Sequence, residues 1–185
     1  LSPWMQKLPG GLIHVNVVGC ALFAAISGSS AATVATVGKM SIPELRKRKY
    51  PEKILLGSLA GSGTLGLLIP PSIILIIYGV AVQESIAKLF IAGIIPGIMI
   101  ALIFMSYVII WSLINKKQMP KIVEEFSFLE KVKRSKQLLP IILLISSVIG
   151  SIYTGVATAT EAASLGVVGA LILSYLQKSL TLKTF

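Results

Sequence analysis

The chain has 185 residues, of which 55% are hydrophobic and 13% charged, and its mean hydropathy is +0.88. A soluble domain carries about 25% charged residues, and a chain of this size cannot hide so much apolar surface, so composition points to a polytopic helical membrane protein. The net charge is +10, yet thirteen of the 17 basic residues fall in two loops between apolar runs, 39–53 and 116–136. That is the positive-inside pattern of cytoplasmic loops, with the lipid bilayer as partner and no nucleic acid.

The first apolar stretch, 11–38, is broken by Ser27, Gly28, Ser29 and Ser30. As one helix it would run about 42 Å, against roughly 30 Å of hydrocarbon, and its flanks, Lys7 and Lys39, are both basic. A re-entrant hairpin over 8–39, entering and leaving on the cytoplasmic side, satisfies length, break and charge together. The alternative is one tilted helix with a Gly/Ser packing patch. Residues 40–53 read as a basic cytoplasmic connection punctuated by Pro43 and Pro51. The second long span, 54–81, contains Gly57, Gly61, Gly63, Gly66, Pro70 and Pro71. Proline removes a donor and clashes with the preceding turn, so this span is expected as a broken transmembrane helix, two half-helices joined by an extended stretch near 61–71.

Residues 82–90 are short and nearly neutral and belong on the outer face. A transmembrane helix follows over 91–114, with Pro96 and Gly97 as a kink and Trp111 at the inner interface. Over 121–137, Val123, Phe126, Leu129 and Val132 recur at near-helical spacing, which predicts an amphipathic helix on the cytoplasmic surface. Two further transmembrane helices are expected over 138–156 and 162–177. With every basic cluster on one side, the fold class is an all-α membrane protein, a polytopic bundle with a re-entrant helical hairpin and a broken helix. The chain opens in mid-pattern at Leu1, without a start Met or signal peptide, and reads as a fragment of a longer protein.

Paired broken segments near mid-bilayer are the sequence pointer to a transporter's binding site. Hydroxyls, carbonyl ends that attract a cation and N–H ends that attract an anion occur at both breaks. Two such breaks facing each other would make a cage of neutral oxygens suited to Na⁺, with donors left for a carboxylate. The competing reading is that small residues only let helices pack. Titratable groups are few. His14 lies one turn into the first apolar stretch, where an interfacial polar role fits better than catalysis, and Glu161 is placed to cap the helix that begins near Ala162. The chain contains no Asp, and this poverty of buried acids favours Na⁺ over H⁺ coupling. One His and no Asp exclude a Ser-His-Asp triad. Cys20, alone in an apolar run, excludes a disulfide framework within the chain. There is no zinc set and no Walker sequence, so the chain is not expected to be an enzyme.

The run ISGSSAATVATVGKMSIPEL, followed by GSGTLGLLIPPSIILIIYGVAVQESIAKLFIAGIIPGI and the Thr158-Ala159-Thr160-Glu161 turn, resembles the DctM-like large permease subunit of the TRAP (tripartite ATP-independent periplasmic) transporters. Ala159 stands where that family usually has Pro. The resemblance implies an elevator-type ion transporter in the bacterial inner (cytoplasmic) membrane, driven by Na⁺. It implies an organic-acid substrate, such as a C4-dicarboxylate or sialic acid, delivered by a periplasmic substrate-binding protein, and a small membrane subunit as partner. Carried over, Ser27, Gly28, Ser29, Ser62, Gly63 and Thr64 would supply Na⁺ ligands. Ser29, Ser30, Gly66, Pro70 and Ser72 would border the substrate. The chain would then hold about half a permease. Another divalent-anion/Na⁺ symporter and a non-transporting membrane scaffold remain the alternatives.

Overall fold

Glycine and serine stop the first long helix where the apolar run alone would carry it on. The computed structural model describes residues 2–120 and 138–176, and the chain forms two compact units, one within Leu1–Lys133 and one within Arg134–Phe185. The described residues are helical with intervening turns and no strand. After a single turn, α1 (Ser2–Met5), the first unit is built from α2 (Ile13–Ser27), α3 (Ser30–Lys47), α4 (Glu52–Gly63), α5 (Ile73–Val82) and α6 (Ile86–Ile114).

Helix α2 ends at Gly28, which takes the left-handed conformation (φ 58°) while its N–H bonds back to the Ala24 carbonyl. Ser29 then turns to an extended conformation, and its Oγ accepts from the Ala32 N–H, capping α3. A helix stop followed at once by a helix start folds the chain back on itself. A methyl group on Gly19 would touch Val37 at 3.6 Å, and Cys20, Val37 and Leu59 share one core cluster. The pairing of 19 with 37 about a pivot at 28 is that of an antiparallel helical hairpin.

Helix α3 does not stop at Lys39 but runs through Pro43 to Lys47. The reason is burial. Leu45 is 2% exposed and packs with Leu12, Ile13, Ile54, Leu55 and Val108, with Ile42 beside them. Pro43 sits on the exposed face, where the single ladder bond it removes is replaced by water or headgroups. Lys49 (φ 61°) closes the helix, with Tyr50 N–H on the Leu45 carbonyl at 3.1 Å and Lys49 N–H on Arg46 at 2.9 Å, a Schellman pair. Beside this turn, the Arg48 guanidinium bonded to Glu44 at 2.6 Å holds that carboxyl below its ordinary range.

The second span is interrupted over 64–72. Helix α4 tightens into a 3-10 turn, Thr64–Leu67, and the chain passes through a cis bond between Pro70 and Pro71 before α5 begins at Ile73. Helix α6 starts at Ile86, with Ser85 as its cap, and includes five residues earlier than 91. It is 29 residues long and is the helix, among the described residues, long and apolar enough to cross a membrane. Helix α2 lies at the centre, packing against α3, α4 and α6.

In the second unit α7 (Leu139–Tyr153) packs on α8 (Ala159–Leu176). The Glu161 carboxylate accepts from both the N–H and the hydroxyl of Thr158 at 2.8 Å, and Thr158 Oγ1 accepts from the Glu161 N–H at 3.3 Å. This reciprocal capping box starts α8 at Ala159, an N1 position that proline also suits. The amphipathic helix expected over 121–137 lies outside the described residues. Thr158→Ala removes the cap, an effect of about 1 kcal/mol. Amide exchange in the first turn of α8 is expected to quicken about fivefold, and unchanged exchange would show that the box does not hold the turn.

Candidate functional site

The two helix breaks meet. Ile73 donates its backbone N–H to the Gly28 carbonyl at 3.3 Å, so the tip of the α2–α3 hairpin is hydrogen-bonded to the start of α5. Glycine lets the chains approach. A methyl group on Gly28 would lie 2.7 Å from the Pro71 carbonyl oxygen, and one on Gly66 would lie 2.8 Å from the Ser30 nitrogen and 3.1 Å from the Ser29 oxygen. A methyl on Gly63 would collide with Val34 and come within 3.6 Å of the Ser30 oxygen. At Gly28 two constraints coincide, a left-handed backbone and a facing carbonyl, and either alone selects glycine.

Four helix ends converge on this contact, the C-termini of α2 and α4 and the N-termini of α3 and α5. The first N–H groups and last C=O groups of each helix have no partner within it, so the junction concentrates partial charges of both signs. Several are satisfied locally. Ser29 O accepts from Thr33 N–H at 3.0 Å and from Thr33 Oγ1 at 2.7 Å. Ser27 Oγ lies 2.9 Å from Thr33 Oγ1. Ser72 Oγ, fully buried, donates to the Leu67 carbonyl at 2.7 Å.

The residues singled out from sequence divide accordingly. Gly28, Ser29, Ser30, Gly63 and Gly66 come together at the contact, with Ser27 and Ser72 beside it and Pro70 one residue from the Pro71 carbonyl. Ser62 and Thr64 turn their hydroxyl protons back onto the last turns of α4, Ser62 to Ser58 O and Thr64 to Gly61 O. A hydroxyl that donates keeps its lone pairs, so both oxygens retain capacity to ligate. Sequence reasoning missed Thr33, which is fully buried and pins the Ser29 carbonyl. Its signal was the four-residue spacing from Ser29, one helical turn. It also missed Asn16, whose Nδ2 donates to Leu55 O at 3.2 Å and to Ser58 Oγ at 3.0 Å. His14 is fully buried, with Nε2 2.8 Å from the Pro9 carbonyl. Among the described residues no group of three or more His, Cys, Asp or Glu converges, so the oxygens at the junction are neutral ones.

Comparison with known proteins fits this arrangement. Residues 5–185 match the sequence family described as tripartite ATP-independent periplasmic transporter, DctM component. The chain belongs to that family. It is 42% identical over 159 residues to the C4-dicarboxylate TRAP transporter large permease protein DctM of Pseudomonas aeruginosa, covering 86% of this chain and 36% of that protein. It is 38% identical over 178 residues to the ectoine/5-hydroxyectoine TRAP transporter large permease protein UehC of Ruegeria pomeroyi, covering 94% and 40%. With the sialic acid TRAP transporter permease protein SiaT of Haemophilus influenzae the identity is 38% over 179 residues, 95% of this chain and 28% of that one. The chain thus spans well under half the length of these curated relatives. As a TRAP permease chain it is an integral membrane protein, and its relatives are named as permeases rather than enzymes.

Gly28→Ala is expected to destabilise by about 1–2 kcal/mol through the left-handed backbone alone, and further through the Pro71 oxygen. Gly57→Ala, where a methyl group would meet nothing within 4 Å, is expected to be neutral or to stabilise α4 by up to ~1 kcal/mol. Unfolding midpoints of the purified protein in detergent measure both. Equal midpoints for the two variants would remove the contact as a structural determinant.

Proposed function

We propose that this chain carries one of the helix-break pairs of a Na⁺-coupled TRAP permease, a multi-pass protein of the bacterial inner membrane. The permease imports an organic acid, a C4-dicarboxylate, sialic acid or similar carboxylate. A periplasmic substrate-binding protein delivers the substrate, and a small membrane subunit accompanies the permease. The α2–α3 pair acts as a re-entrant hairpin, and the body that carries it moves as the elevator against a fixed scaffold. What carries the proposal is the Ile73 N–H to Gly28 carbonyl bond, with Gly66 packed on Ser29 and Ser30. Two discontinuous helices in contact place carbonyl ends for a cation and N–H ends for an anion at one point.

Helix length supports re-entry. Helix α2 has 15 residues, about 22 Å, too short for a hydrocarbon layer of roughly 30 Å, and it turns back at Gly28. In this reading Ser27, Gly28, Ser29, Ser62, Gly63 and Thr64 supply oxygens to Na⁺. Ser29, Ser30, Gly66, Pro70 and Ser72 border the carboxylate, and Thr33 holds the Ser29 carbonyl in position. The oxygens named are hydroxyls and carbonyls, and a neutral set suits a monovalent ion.

The experiment is Na⁺-dependent uptake by the full gene product in proteoliposomes, supplied with its binding protein and small subunit. Ser29→Ala and Thr64→Ala are each expected to raise the half-saturating Na⁺ concentration about tenfold, equivalent to ~1.4 kcal/mol. If both variants transport with the Na⁺ dependence of the parent, Ser29 and Thr64 are not Na⁺ ligands and the breaks serve packing only.

A further inference from the structure

A recess of about 340 Å³ opens at the C-terminal end of α6, between the first residues of the chain, the α3–α4 turn and residues 112–120. It lies at the opposite end of α2 from the hairpin tip. Its walls divide by chemistry. Leu113 and Met119 make an apolar side, Gln6, Tyr50, Ser112 and Lys116 a polar one, and among the described residues no carboxylate lines it.

Two observations mark the recess as built for a ligand. Ser112 is 3% exposed, and its Oγ has no hydrogen-bond partner among the described residues. A serine inside a helix ordinarily returns its proton to a carbonyl one turn back, as Ser106 of the same helix does to Leu102 O at 2.8 Å. Ser112 leaves that capacity unspent at the wall of the recess. Gly10 packs close against the same serine, where a methyl group would collide with Val108 at 2.6 Å. It holds a positive φ of 103°, and a methyl group there would lie 3.0 Å from Ser112 Oγ and 3.1 Å from His14 Nε2.

Depth and charge identify the ligand. Helix α6 has 29 residues, about 43 Å, so its end projects beyond a hydrocarbon layer of roughly 30 Å into the headgroup region. Trp111 packs on the buried cluster of Leu12, Leu55 and Val108 just before that end, and tryptophan favours this depth. Lys116 follows at once, and Tyr50 comes directly after Arg46, Lys47, Arg48 and Lys49 in the chain. A largely apolar recess with Lys116 at its edge, at the cytoplasmic end of a spanning helix, matches an anionic lipid headgroup and the start of its acyl chains.

We propose that this recess binds the phosphate of an anionic phospholipid. Lys116 and Ser112 Oγ meet the phosphate oxygens, and Leu113 and Met119 cover the first acyl carbons. The site requires only that α6 spans the bilayer, and it stands apart from the transport reading.

The test places the full gene product in nanodiscs of phosphatidylethanolamine, with or without added phosphatidylglycerol. Lipid retained after extraction is read by native mass spectrometry, and stability by the thermal midpoint. The parent is expected to retain phosphatidylglycerol selectively and to melt higher with it. Lys116→Gln is expected to retain about fivefold less, the effect of one basic residue near an anionic surface. Ser112→Val, which fills the recess, is also expected to lose retention, and the exposed Lys116→Gln decides the matter where Ser112→Val does not fold. Lys88→Gln, at the other end of α6, is expected to match the parent. Equal retention by Lys116→Gln and the parent, or equal loss in Lys88→Gln, overturns the proposal. A midpoint raised as much by inorganic phosphate without lipid also overturns it, in favour of a soluble-anion site.

Discussion

The hydrogen bond from Ile73 N–H to the Gly28 carbonyl is the tie on which the first unit depends. Each end belongs to a helix that has stopped, Gly28 at the close of α2 and Ile73 at the opening of α5. Neither group has a partner within its own helix, and a buried peptide group left unpaired costs free energy. Each break therefore supplies what the other lacks. The contact requires backbones closer than side chains permit, which is why Gly28 faces Pro71 and Gly66 faces Ser29 and Ser30.

The junction sits at the far end of a well-supported helix. Along α2, Ile13 packs in one core cluster, Val17 and Ala24 in a second and Cys20 in a third, so the helix is held on the sides facing α3, α4 and α6. Polar ties fix its register. Asn16 reaches across to Leu55 and Ser58 on α4, and Tyr50 OH accepts from the Leu12 N–H at 3.0 Å at the base. A hydrogen bond to a buried amide is directional, so sliding α2 by one residue would break both ties at once. The tip is thus presented from a body whose own packing resists deformation.

Much of this was legible along the chain, because the signals are local. Gly28 before Ser29 and Ser30 reads as a stop and a cap whatever surrounds it. Pro70 and Pro71 forbid a continuous ladder wherever they stand, and Thr158 with Glu161 carries its own cap. Other features were not legible. Pro43 and the basic run after it argued for a loop, and α3 continues to Lys47 because Leu45 is wanted in a cluster assembled from three other helices, α2, α4 and α6. Where the hydroxyl protons of Ser62 and Thr64 go, back to carbonyls of α4, shows only in the fold. Thr33 drew no reading of its own, and its role shows only where its hydroxyl donates to the Ser29 carbonyl.

Composition and short-range stereochemistry suffice to make this chain a helical membrane protein and to say where its helices cease, since both depend on neighbours within a turn or two. Which broken end meets which, which serine caps and which lines a cavity, and that Gly66 rather than Gly57 bears on the hairpin tip, belong to the folded chain alone. These are matters of approach between residues some 40 positions apart, and no local pattern encodes such a distance.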